Sequence, residues 1–279
     1  MKSSMQFHGV ASPVMRPIFT EAFKGVEFES AEQWRDAVAH LWSAAQFREE
    51  RYAAIALARC PRFRAFHTDL PTALPLVAHM IVTGAWWDMV DDLAANVLGA
   101  LLRAHPAKVS AEIERWSVGD SLWLRRAAIC AQLSSKGPHM DLSLLFRMIR
   151  PALVAGTRDN DSFWIRKAVG WGLRQAAREP QAVPQIRDFI QQHYHSMSPL
   201  SRREALKHLG GDKGPGAESA TAKSKASKQK KQQQPDDDDD IEESESDAME
   251  DDDVAEDEEM EEAPPASKGP AAKRRKAVK

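Results

Sequence analysis

One six-residue pattern returns in this chain at a spacing that few architectures can produce. Trp123-Leu124-Arg125-Arg126-Ala127-Ala128 is echoed by Trp164-Ile165-Arg166-Lys167-Ala168-Val169, 41 residues later. Trp86 precedes Trp123 by 37 residues, and Arg51-Tyr52-Ala53-Ala54-Ile55 precedes Arg125-Arg126-Ala127-Ala128-Ile129 by 74, two such steps. A period near 40 with two helices per unit is the mark of a HEAT-like repeat array. Each unit buries its apolar face on its neighbours, so equivalent helices line up and the Trp/Arg positions form a wall. The expected fold is all-α: a HEAT-like α-solenoid of paired antiparallel helices with a basic concave face.

Local signals agree with that period. Pro13 and Pro17 delay the first helix to about 16–23. Ser30 followed by Gln33 forms a capping box and opens a helix through Ala45 that should bury Trp34, Val38 and Leu41. Further helices are expected over about 47–59, from Asp69-Leu70-Pro71 to Gly84, and from Trp86 to Arg103. Others follow over about 108–116, 121–134, 141–152, 160–178, 182–194 and 198–208, with a break at Gly137-Pro138. Ser198 caps the last, with Pro199 at its first position. No stretch alternates as a strand would.

Composition divides the chain in two. All eight tryptophans lie between Trp34 and Trp171, and no aromatic residue follows Tyr194. Residues 1–210 carry 26 Lys+Arg against 20 Asp+Glu, a balance of +6, whereas residues 211–279 carry 12 against 21, a balance of −9. The expected domains are therefore a helical domain over 1–209 and a disordered tail over 210–279. No apolar run approaches the roughly 18 residues of a membrane span, and the first residues lack the basic start and apolar run of a signal peptide, so none is expected. Cys60 and Cys130 sit in Ala-rich helical runs and read as core thiols of a reducing, intracellular compartment. The pair His193 and His195 diverges on a helix and lacks further ligands, so no metal or cofactor is expected.

The tail has three blocks: a lysine-rich run from Lys223 to Lys231, an acidic block from Asp236 to Glu262, and Pro270-Ala271-Ala272-Lys273-Arg274-Arg275-Lys276. The cluster Lys273, Arg274, Arg275 and Lys276 has the form of a nuclear-localisation signal that importin would bind, which makes the nucleus the expected location. The acidic block is expected to compete with DNA for the basic groove or to meet histones. Ser244 and Ser246, flanked by acids, suit acid-directed phosphorylation.

The chemistry concentrates at Trp86-Trp87-Asp88-Met89-Val90-Asp91-Asp92. On a helix Trp87 and Asp91 are one turn apart on one stripe, an indole face beside a carboxylate. Trp86 could serve the core, and the aspartates could simply oppose the helix dipole. Asp88 fits a capping or supporting carboxylate and Asp92 a solvated one. Arg125 or Arg126, Arg166 or Lys167, and Trp171 share the wall with Trp87 and Asp91. A basic wall with exposed aromatics suits duplex DNA. Arg126 could instead bridge to Asp91 or Asp92, and Trp171 could be core.

Four blocks taken together resemble the AlkD family of DNA glycosylases, which are built from HEAT-like repeats. They are Trp86-Trp87-Asp88-x-Val90-Asp91; Trp123-Leu124-x-Arg126-Ala127-Ala128-Ile129; Ile165-Arg166-Lys167-Ala168-x-Gly170-Trp171-x-Leu173-Arg174; and Pro199-Leu200-Ser201-x-Arg203-Glu204-Ala205. The resemblance runs from about Phe7-His8-Gly9-Val10 to His208. The family's additional N-terminal helices are expected to be shortened here. It implies hydrolysis of the N-glycosidic bond of positively charged adducts such as 3-methyladenine and 7-methylguanine, without a base-flipping pocket. It places the catalytic carboxylate at Asp91, the lesion-facing aromatics at Trp87 and Trp171, and DNA contacts at Arg126, with Arg125, Arg166 and Lys167 beside it. The expected partner is duplex DNA carrying alkylated bases, bound by a monomer. The alternative is a non-catalytic HEAT-repeat module that binds DNA or chromatin.

Overall fold

The computed structural model describes residues 5–135, 140–154, 156, 157, 159 and 162–209. Among them there is no strand; the one bridge of extended backbone joins Gln6 to Phe47. The helices are α1 (Ser12–Phe23), α2 (Ala31–Ala44), α3 (Arg48–Ala58), α4 (Arg64–His67), α5 (Leu70–Gly84), α6 (Trp87–Asp92), α7 (Gly99–Ala104), α8 (Pro106–Val118) and α9 (Leu122–Cys130). They continue as α10 (Leu142–Ile149), α11 (Phe163–Ala176), α12 (Val183–Gln192) and α13 (Pro199–Leu206). The expected all-α class is what the chain adopts. The tail, including Lys273 to Lys276, and the expected break at Gly137-Pro138 lie outside the described residues.

Helix starts follow side-chain chemistry. Ser30, Asp69, Ser121, Asp141 and Ser198 each accept an amide N–H from the first turn of their helix, as short oxygen side chains do at this position. Two expectations change. Helix α1 begins at Ser12 because Pro13 sits in its first turn, where a missing N–H costs nothing. In α2, Leu41 is 36% exposed and Trp42 takes the inward place at 2%. Trp42 Nε1 donates to Thr83 Oγ1 at 2.9 Å, which gives its polar edge a partner.

One row of helices positions the site. Helix α3 packs on α6, α6 on α9, α9 on α11, and α11 on α13. A charged pair joins neighbours along most of this row. Arg48 meets Asp88 between α3 and α6, and Arg126 meets Asp91 between α9 and α6 at 2.6 Å. Lys167 and Arg174 of α11 meet Glu204 of α13 at 3.0 and 2.9 Å. Buried pairs of this kind add little net stability, but each penalises any register that separates its partners. Around them Met89, Val90, Leu93, Ile129, Leu144 and Leu173 form part of one apolar core.

The start of the chain is tied to α3. Glu49 accepts the backbone N–H groups of His8, Gly9 and Val10 at 3.0, 2.8 and 3.2 Å. Burial acts against the Glu49 charge, but these amides outweigh it and hold the carboxyl below the ordinary range.

The connection into α6 is strained. Ala85 has φ +45° and ψ +37° at the end of α5, a left-handed conformation that costs a non-glycine residue about 1 kcal/mol. Ala85 is exposed, so Ala85→Gly removes no packing. We expect that variant to raise stability by up to about 1 kcal/mol, or roughly 2–4 °C in Tm, measured by thermal melting.

Candidate DNA-facing active site

Helix α6 is six residues long and runs directly into a π-helical stretch, Leu93–Leu98, which continues into α7. Such wider turns recur at functional sites. Trp86 stands before α6 in extended backbone, and Trp87 opens the helix half-buried. One turn later Asp91 is 3% exposed. Its two oxygens accept Arg126 Nε at 2.8 Å and Nη2 at 2.6 Å, a two-pronged pair. Arg126 Nη1 donates to the Trp164 carbonyl at 2.5 Å, so the guanidinium is anchored on three atoms. Burial pushes the Asp91 carboxyl above its ordinary range, and the Arg126 guanidinium opposes that push. A guanidinium stays charged far above neutral pH, so Arg126 favours the ionised form of this carboxyl against burial.

An aromatic cluster lies over this pair. The Trp164 ring is 5.6 Å from Trp86, 5.7 Å from Trp123 and 5.1 Å from Phe163, and its centroid is 5.9 Å from Arg126 Cζ. Trp86 and Trp123 therefore meet around Trp164. Their spacing was visible in the sequence, but a repeat shows equivalence and says nothing of convergence. Trp86, for which a core place was one reading, is half-buried within this cluster.

Of the residues expected to touch DNA, several are engaged inside the protein. Arg126 is 3% exposed and paired with Asp91, so it bridges α9 to α6. Arg125 is 4% exposed, with Nε on Asp159 at 2.5 Å and Nη1 on the carbonyls of Gly119 and Asp120 at 2.7 and 2.8 Å. Those bonds turn three of its five N–H donors inward. Lys167 is bonded to Glu204, and Arg166 is half-buried with its carbonyl accepting Ser201 Oγ at 2.9 Å. Trp171 is half-buried against the core, two turns beyond Trp164 on α11. Asp92, expected to be solvated, accepts Arg59 Nη1 at 3.2 Å and Asn96 Nδ2 at 2.7 Å.

Asp88, which fits a capping or supporting carboxylate, belongs to a second buried charged group whose partners the sequence does not mark. Asp88 is 6% exposed and Arg48 2% exposed, and Tyr52 donates its hydroxyl to Asp88 Oδ2 at 2.5 Å. Nothing in the run Arg48-Glu49-Glu50-Arg51 distinguishes it from an ordinary solvated helix start. Among the described residues no group of three or more His, Cys, Asp or Glu side chains could hold a metal ion, and no helix is long and apolar enough to cross a membrane.

The profile of the family described as DNA alkylation repair enzyme matches residues 1–209. This chain belongs to that family. As a DNA alkylation repair enzyme it binds DNA and acts in the repair of alkylated DNA. A solved structure described as "Predicted DNA alkylation repair enzyme from Enterococcus faecalis" superposes with a TM-score of 0.54 at 22% identity, covering 75% of this chain and 90% of that one. At that identity the likeness is one of fold. Comparison with curated proteins gives no match.

Proposed function

We propose that this DNA alkylation repair enzyme is an N-glycosylase that releases positively charged alkylated bases, such as 3-methyladenine and 7-methylguanine, from duplex DNA. One observation carries the reading: a half-buried indole, Trp87, stands one helical turn before a carboxylate, Asp91, that is held in a single orientation by Arg126. A cationic base needs no acid to leave, because it departs neutral with the electron pair of the C1′–N bond. The barrier lies in the oxocarbenium-like sugar left behind, and water then adds to C1′ and loses a proton. Asp91 would stabilise that positive charge electrostatically and help direct the water. Each Asp91 oxygen keeps a second lone pair for that task beyond its bond to Arg126. The faces of Trp87 and Trp171 would meet the deoxyribose and favour developing positive charge.

In this reading the row α3, α6, α9, α11 and α13 is the inner wall of a HEAT-like solenoid, and the duplex lies along it. Arg166 would contribute phosphate contact, which positions DNA without reading sequence. The basic cluster Lys273 to Lys276 would bind importin and direct the chain to the nucleus, and the acidic block would meet histones.

A second reading, a non-catalytic DNA- or chromatin-binding module, is favoured by one feature. Asp91 is almost fully buried and both its oxygens are already bonded. Incubation with methylated duplex DNA, followed by chromatography of free bases and counting of abasic sites, separates the two. The glycosylase reading expects released base and an equal number of abasic sites. Duplex binding without release would replace it with the second.

A further inference from the structure

We infer that Arg48 and Tyr52 are positioning residues that set the direction of Trp87 by gripping Asp88, the residue next to it. The inference rests on the glycosylase reading of Trp87 and Asp91.

Helix α6 lacks the device that opens five other helices of this chain. No side chain caps it, because its N-cap position holds Trp86, whose ring belongs to the aromatic cluster. Its first turn is secured from outside. Arg48 Nε donates to Asp88 Oδ2 at 3.2 Å and to the Tyr52 hydroxyl at 2.9 Å, and Arg48 Nη2 donates to Asp88 Oδ1. The Met89 N–H donates to Asp88 Oδ1 at 2.9 Å. The Arg48 guanidinium also faces the rings of Phe7 and Tyr52, 5.9 and 5.8 Å from their centroids. Burial and the Asp88 charge both push the Tyr52 hydroxyl up, so it remains a donor.

Burying a carboxylate and a guanidinium beside a half-buried phenol is a costly way to replace a serine cap. What the network adds over a cap is direction. A cap satisfies N–H groups but leaves the helix free to turn about its axis. Asp88 is instead bonded sideways to α3, while Asp91 is bonded to Arg126 of α9. Helix α6 is thus clamped from both neighbours, and Trp87 precedes the two clamped residues by one and four positions. The clamp matters because α6 is only six residues long and passes straight into a π-helical stretch. A π-helical turn interrupts the regular i→i−4 ladder, so α6 is not simply the first part of one long α-helix.

The test uses the full chain carrying Tyr52→Phe, which keeps the ring and removes only the hydroxyl, with Asp88→Asn as the stronger variant. Two readouts are taken: the single-turnover rate of base release from methylated duplex, beside affinity for undamaged duplex, and the ¹⁹F spectrum of protein labelled with 5-fluorotryptophan. The Trp87 line is assigned by Trp87→Phe and the Trp171 line by Trp171→Phe. We expect Tyr52→Phe to slow release roughly tenfold, as misplacement of a positioned group does, with undamaged-duplex affinity within about twofold. The Trp87 line should shift or broaden while the Trp171 line stays. A folded Tyr52→Phe protein with an unmoved Trp87 line overturns the inference, and so does a moved line with an unchanged rate. If the wild-type protein releases no base, the glycosylase reading fails, and the Trp87 line alone decides whether the network sets that residue.

Discussion

Asp91→Asn is expected to lower base release by about 10²–10³-fold, the range for removing one preorganised electrostatic group from an active site. The same change should destabilise the fold by about 3–5 kcal/mol, because it leaves the Arg126 charge buried without its partner. Loss of release from this variant alone is therefore ambiguous: a partly unfolded enzyme is also a slow one. The double variant Asp91→Leu/Arg126→Met separates the two effects. Replacing both charges by apolar side chains removes the desolvation cost and should restore most of the lost stability. Release should remain lost, because no carboxylate is left to stabilise the sugar cation. Melting temperatures and single-turnover release, measured well below the lowest melting temperature, give both quantities on the same samples. If the double variant melts like the wild type and still releases base at the wild-type rate, Asp91 serves only the fold. The reaction would then rest on Trp87, Trp171 and the lability of the lesion itself.

The pair Asp91–Arg126 also shows where reading the sequence stops. Helical period places Trp87 and Asp91 on one stripe, and five of the helix starts are legible from single Ser or Asp residues. The repeat makes the row of equivalent helices foreseeable. Partner choice among charged side chains is not local, however. Arg125 and Arg126 are adjacent and chemically identical, yet one bonds to Asp159 and the other to Asp91. Only the packing of α9 between its neighbours decides which is which. The same limit affects the charge balance of residues 1–210. Arg48, Arg125, Arg126, Lys167 and Arg174 all count as cations in the sequence, but each is held against an internal carboxylate. Fewer cations are therefore left for phosphates than composition implies. The aromatic cluster was half legible: the spacing of Trp86, Trp123 and Trp164 marks equivalence, and their meeting depends on how closely the helices approach.

Helices α11 and α13 approach closely at Gly170, and there Gly170→Ala should cost about 3 kcal/mol or more, by overpacking. A methyl group on Gly170 would stand 2.4 Å from Glu204 Cβ and 2.8 Å from the Ser201 carbonyl oxygen. Neither neighbour is a flexible tip that could swing aside, so α13 itself has to move. Moving it stretches the bond from Ser201 Oγ to the Arg166 carbonyl and the bonds by which Glu204 holds Lys167 and Arg174. Arg174 is 6% exposed, so a loosened Glu204 leaves a guanidinium poorly compensated. The better helix propensity of alanine returns only about 1 kcal/mol. Two positions on, Gly172→Ala is the control, since its methyl would meet Leu145 Cδ1, the end of a movable side chain, at 3.3 Å. We expect Gly170→Ala to lower Tm by roughly 6–12 °C and Gly172→Ala to change it by no more than about 3 °C. Trp171 lies between the two glycines, on the helix that moves relative to α13. If Trp171 faces the lesion, Gly170→Ala should also slow base release at temperatures where both variants are folded, and Gly172→Ala should not. Equal release from both, despite the difference in Tm, would place Trp171 outside the reaction and leave it as core.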